Sequence, residues 1–152
     1  MIRRSLIAFA TGWCLLAATQ AIGQDILMSR SRQDFPEAML TLQDSIKGHG
    51  YEVTRVQRVD IGLTGMGYET DRYRVVFYAK VDEIRRLVTA NPPMLAYLPP
   101  SISIFAENGQ TVLVAADPRQ FKSEFEDREM RILLDRWAND LNSIMEDVRR
   151  AE

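Results

Sequence analysis

The sequence predicts an α+β fold of two layers, a mostly antiparallel sheet with helices packed on one face and a long C-terminal helix. Three observations predict it. Asn108-Gly109 joins two β-prone runs, Ser101 to Glu107 and Gln110 to Ala116, and that dipeptide readily supplies the two positive φ angles of a type I′ hairpin turn. From Met130 to Val148, eight apolar residues fall within an arc of about 120° at 100° per residue. The order of elements, β-α-β-β-α-β-β-α, contains two hairpins and lacks the regular β-α-β alternation of a parallel sheet.

The first 23 residues are set apart from the fold. Arg3-Arg4 precedes an apolar run from Leu6 to about Ala18, and Ala21-Ile22-Gly23 places small residues at the −3 and −1 positions of a cleavage site before Gln24. This is the form of a secretory signal, so the chain is expected to be periplasmic or secreted, with residues 24–152 forming one domain. The apolar run falls short of the roughly 20 residues of a membrane span, and Trp13 before Cys14 does not fit a lipoprotein signal. Removing the signal takes away Arg3 and Arg4 and no acid, leaving 17 basic against 21 acidic residues. A chain of that balance is not suited to nucleic acid. Its only cysteine, Cys14, leaves with the signal, so an apolar core and not disulfides must hold the domain.

Ile26 to Met28 reads as a short first strand. Asp34 opens a helix at capping-box distance from Glu37, with Pro36 in the first turn; Phe35, Met39, Leu42 and Ile46 recur along one face, and Gly48 and Gly50 end it. Tyr51 to Ile61 is β-rich, but Val53, Val56 and Val59 do not share a period of two, which places a bulge near Thr54 to Gln57. Gly62 to Asp71 holds three glycines and reads as the longest flexible connection. Tyr73 to Val81 is a strand with Tyr73, Val75, Phe77, Ala79 and Val81 on one face. Asp82 caps a short helix with Ile84, Leu87 and Val88 as its stripe, ended by Asn91 before Pro92. The hairpin follows, apolar on both faces and therefore interior to the sheet, fenced by Pro99-Pro100 and Asp117-Pro118. Asp117-Pro118 starts a further helical turn, and Asp127 starts the long helix, whose wet side pairs Asp127/Arg131, Arg131/Asp135, Arg136/Asp140 and Glu146/Arg150.

Asp34 to Gly50, Val59-Asp60-Ile61, Gly67-Tyr68, Asp71 to Val76, Asn91-Pro92, Leu98-Pro99, the hairpin and Asp117-Pro118 stand in an order and spacing that resembles domain of unknown function family 302, of TT1751-like fold. The resemblance covers nearly all of residues 24–152. It implies an α+β fold that tends to dimerise, and no reaction. Where many relatives carry a cysteine in the strand before the Asn-Pro helix, this chain has Tyr78, Ala79 and Lys80, so a thiol- or metal-based role does not carry over.

Tyr68 to Arg74 is the densest polar and aromatic cluster. Its residues Glu69, Asp71, Arg72, Tyr73 and Arg74, with Tyr78, are the candidate ligand-binding set, against the plainer reading of a sheet edge laced with exposed ion pairs. Tyr73, Tyr78 and Tyr97 each offer an apolar body and a polar tip, suited equally to a core rim and a contact surface. The rival reading is a hydrolase or other enzyme using His49 or the Glu69/Asp71 pair. His49, the only histidine, lies between two glycines at a helix exit, as a solvated or C-capping residue does; Ser45 and Ser101-x-Ser103 lack a nucleophile-elbow context. No metal site or cofactor is expected, and Gly65-Met66-Gly67 lacks the strand, helix and third glycine of a phosphate loop.

The function expected is a non-catalytic exported module that recognises a small ligand or an envelope protein through Gly62 to Arg74 and the neighbouring sheet edge. A structural subunit of an envelope complex is a third reading. A homodimer is also expected: a helix from Asp127 to Arg150 spans roughly 36 Å against about 17 to 20 Å of strand, so Leu141, Ile144, Met145 and Val148 are expected to overhang and to be covered by a second copy.

Overall fold

The computed structural model describes residues 26–68 and 72–151. Five strands, β1 (Ile26–Ser31), β2 (Glu52–Arg58), β3 (Tyr73–Ala79), β4 (Ser101–Glu107) and β5 (Gln110–Ala116), form one sheet in the order β1-β5-β4-β3-β2. Every neighbouring pair is antiparallel. The β4-β5 hairpin is interior, and its turn residues have φ of 50° at Asn108 and 77° at Gly109, the pair of left-handed angles that a type I′ turn requires. In β2 the register shifts between Val53 and Arg55, which is the bulge that the valine spacing demands.

Among the described residues four helices accompany the sheet: α1 (Phe35–Gly48), α2 (Asp60–Gly65), α3 (Val81–Ala90) and α4 (Arg128–Arg150), with 3₁₀ turns at Pro92–Tyr97 and Pro118–Glu124. The core lies between the sheet and the helices. Leu42 and Ile46 of α1, Val76, Ile102, Ile104 and Leu113 of the sheet, and Leu134, Leu141 and Ile144 of α4 are fully buried in it. Asp127 caps α4 by accepting from the Glu129 N–H at 2.6 Å. Among the described residues, two of the four expected pairs on its wet side form, Arg136 with Asp140 and Glu146 with Arg150, while Asp135 is taken instead by Lys122 of the preceding 3₁₀ turn.

Several expectations need correction. The second strand stops at Arg58, and Asp60–Gly65 is helical, so the connection read as flexible begins as a helical turn with Asp60 at its N-terminal end, where a carboxylate is favourable. Asp34 precedes α1 but its side chain makes no cap hydrogen bond. Val81 belongs to α3, not to β3, and α3 is preceded by Lys80 with Asp82 inside the first turn. The stripe Tyr73, Val75, Phe77 shares a face, but the buried face of β3 is the other one, carrying Val76 and Tyr78. That face looks broken in the sequence because its third member is Arg74. The Asp117-Pro118 start leads into a 3₁₀ turn.

The overhang of α4 does not exist. Leu141, Ile144, Met145 and Val148 are all at most 4% exposed within one chain, because α1 and β1 both pack against α4. Helix length therefore supplies no argument for a dimer.

Candidate functional site

The six residues singled out between Glu69 and Tyr78 do not meet at one point where they are described. Glu69 and Asp71 lie outside the described residues. The Arg72 carbonyl accepts from the Ala106 N–H at 3.1 Å, adding a rung to the β3-β4 ladder. Tyr73 and Arg74 leave the strand on opposite faces. The Tyr73 ring stacks edge-on to Phe105, 5.8 Å away. Arg74 instead reaches the buried carboxylate of Asp60 at 2.6 Å and lies 5.6 Å from the centre of the Phe35 ring. Arg58 binds the other oxygen of Asp60 at 2.7 Å. The Arg58 hydrogen bond and the Arg74 charge hold the Asp60 carboxyl below its usual range against the opposing effect of burial. Tyr78 is in the core, edge-on to Tyr51 at 5.3 Å, and burial pushes its phenol well up.

His49 is no closer to a catalytic arrangement. Its Nε2 lies 3.4 Å from Asp147 Oδ2, the same oxygen that accepts from the Ser45 hydroxyl at 2.6 Å. The serine proton is thus directed to the carboxylate and not to the imidazole, the reverse of what an activated nucleophile needs. The trio ties the end of α1 to α4. No cluster of histidine, cysteine or acidic residues suited to a metal occurs among the described residues.

A different place in the fold has the form of a binding site. Because β4 and β5 are antiparallel and joined at Asn108-Gly109, the start of β4 and the end of β5 lie together at the far end of the hairpin, with Ile102 opposite Ala115. The two proline-rich flanks therefore arrive side by side, one as the 3₁₀ turn Pro92–Tyr97 and the other as Pro118–Glu124. Between them, β1 and α4 opens a cavity of about 310 Å³. Met94, Tyr97, Leu98 and Pro100 form one wall, and Pro118 and Phe121 another. Leu134 and Trp137 of α4, Ile26 of β1, and Val114, Ala115 and Ala116 of β5 complete it. Apart from the tips of Tyr97 and Trp137, the polar lining groups are the hydroxyls of Ser101 and Ser103. These stand two apart on β4, so their Cα atoms are about 6.5 to 7 Å apart on one face, and neither hydroxyl has a partner among the described residues.

The rings of Tyr97 and Phe121 meet at 4.8 Å and 42°. A second cavity of about 330 Å³ shares Met94, Tyr97 and Phe121 with the first and adds Asn91, Pro93, Gln120 and Glu124. Trp137 is held from behind: its indole N–H donates to Glu83 Oε2 at 2.6 Å, and Glu83 Oε1 is bound by Arg136 at 2.7 Å. Of these residues the sequence singles out Tyr97, Ser101 and Ser103, for other reasons. The signal that was there to be used is the pair of proline-rich flanks, which any hairpin must bring to one end.

A five-stranded antiparallel sheet backed by helices, with an apolar cavity at its end, defines a small α+β protein. The sequence profile of Domain of unknown function DUF302 matches residues 28–148, and the chain belongs to that family. Its fold is similar to the crystal structure of an uncharacterized conserved protein of DUF302 from Bacillus stearothermophilus, with a TM-score of 0.72 and 17% sequence identity, over 82% of this chain and 98% of that one. No curated protein matches the chain significantly. Among the described residues no helix is long and apolar enough to cross a membrane.

Proposed function

We propose that this chain is an exported, non-catalytic module that binds a small, largely apolar ligand in the cavity between the two 3₁₀ turns. The observation that carries the proposal is the composition of that wall: twelve of its fourteen residues are apolar, none is charged, and the other two are serines with unspent hydroxyls. Small-molecule sites have this make-up, an apolar concavity with a few polar groups that fix orientation. The volume suits a ligand at the lower end of the usual range of about 300 to 1,000 Å³.

The alternative place for a ligand, Gly62 to Arg74 with the neighbouring sheet edge, rests on Glu69, Asp71, Arg72 and Tyr73; of the other two residues of that set, Arg74 is paired with Asp60 and Tyr78 is in the core. Export rests on residues 1–23 and is tested by the intact mass of protein made in its native host. A homodimer rests on the family resemblance alone.

Isothermal titration with 1-octanol tests the cavity. Binding that is lost in Ser103→Phe, which fills the space from a strand position that accepts aromatic residues, supports the proposal. Binding that survives in a folded Ser103→Phe protein overturns it.

A further inference from the structure

The ligand class can be narrowed, on the footing that the apolar cavity is the binding site. We infer that the ligand is a lipophilic amine, an apolar tail carrying a cationic ammonium head, with the tail in the first cavity and the head beyond the Tyr97–Phe121 pair in the second.

Charge is the first argument. Neither wall contains a lysine, arginine or histidine, and the second contains Glu124. Glu124 has no ion-pair partner among the described residues. Of the cations near it in the chain, Lys122 is committed to Asp135 at 2.7 Å and Arg119 to Asp117 at 2.5 Å, while Arg128, four residues on, is not part of either wall. A carboxylate or phosphate head at this place would meet an acid and no compensating base.

Hydrogen-bond polarity is the second. Asn91 spends an amide N–H on the Glu124 carbonyl at 3.0 Å, and Gln120 spends one on the Asp117 carbonyl at 3.1 Å. The side-chain carbonyl oxygens of both have no donor among the described residues. With the Glu124 carboxylate they make a wall whose acceptors are unspent, and an ammonium group offers three donors and no acceptor. The third is the aromatic boundary. Tyr97 and Phe121 stand between the two spaces, where a cation passing from apolar to polar surroundings is attracted by the ring faces.

Three probes with one tail and different heads test this on the full chain: octylamine, 1-octanol and octanoate, titrated calorimetrically at pH 7, where the amine is charged. Octylamine is expected to bind about tenfold tighter than 1-octanol, the sum of a modest cation–π and an exposed ion-pair contribution, and octanoate more weakly than either. Glu124→Gln is expected to bring octylamine down to the alcohol. If 1-octanol binds and octylamine binds no more tightly, or octanoate binds tightest, the amine inference is overturned while the apolar cavity stands. If none of the three binds, both fall. Octylamine binding that persists in Ser103→Phe places the amine elsewhere and also overturns the inference.

Discussion

The indole N–H of Trp137 and the carboxylate of Glu83 are 2.6 Å apart, and this hydrogen bond fastens the inner wall of the cavity to α3. Trp137 is 4% exposed, so an unpaired N–H there is costly. Glu83→Ala is expected to lower stability by about 1 to 3 kcal/mol, the usual cost of leaving a buried donor unsatisfied, and to weaken 1-octanol binding by letting the indole turn. Glu83→Gln keeps an acceptor and is expected to lose less of both. Chemical denaturation alongside calorimetric titration measures the two effects, and equal losses in the two variants would show that the hydrogen bond is unimportant.

Asp60 joins β2, β3 and α2 through Arg58 and Arg74. Asp60→Ala leaves Arg74, whose side chain is 17% exposed, without its carboxylate against Phe35. Thermal unfolding is expected to show a larger drop in Tm for Asp60→Ala than for Glu146→Ala, whose partners are at the surface. Adding Arg74→Met to Asp60→Ala is expected to restore part of the loss, because the stranded charge is then gone.

Among the described residues three carboxylates are held below their usual range. Arg149 and then Arg150 bring Glu146 to about 2. Asp60 is lowered chiefly by the Arg58 hydrogen bond. For Asp117 burial acts upward, and the Arg119 hydrogen bonds and charge overcome it. Groups with depressed folded pKa values bind fewer protons folded than unfolded, so their stabilisation is complete above the unfolded pKa of about 4 and fades as pH falls through the folded values. Stability is expected to decline from about pH 4 towards pH 2, as denaturant midpoints across that range will show. A flat profile there would contradict the ion-pair assignments.

Ile144 and Val148 are fully buried. Ile144→Glu with Val148→Glu is expected to unfold the chain, since each places an unpaired carboxylate in the core at a cost of several kcal/mol. Circular dichroism decides this. A folded double variant would return α4 to the surface and with it the argument for a second copy.

The sheet's interior was legible because Asn108-Gly109 leaves the chain few alternatives, and α4 because a 3.6-residue period sustained over five turns is hard to imitate. What escaped had physical reasons. Arg74 interrupts an otherwise apolar stripe, and only its pairing with Asp60, fourteen residues away, makes the strand's buried face intelligible. The glycines of Gly62 to Gly67 concealed the helical turn α2. The cavity wall is drawn from β1, two 3₁₀ turns, the β4-β5 hairpin and α4, and no single stretch carries its pattern. His49, conspicuous in the sequence, proved to share Asp147 with Ser45.

The most direct test of the cavity is a methyl and amide NMR titration of the folded chain with 1-octanol. Shifts concentrated at Met94, Ser103, Val114 and Phe121, saturating together, are the expected result. Shifts confined to Tyr68 through Arg74, with the cavity residues unmoved, would contradict it and return the ligand to the loop.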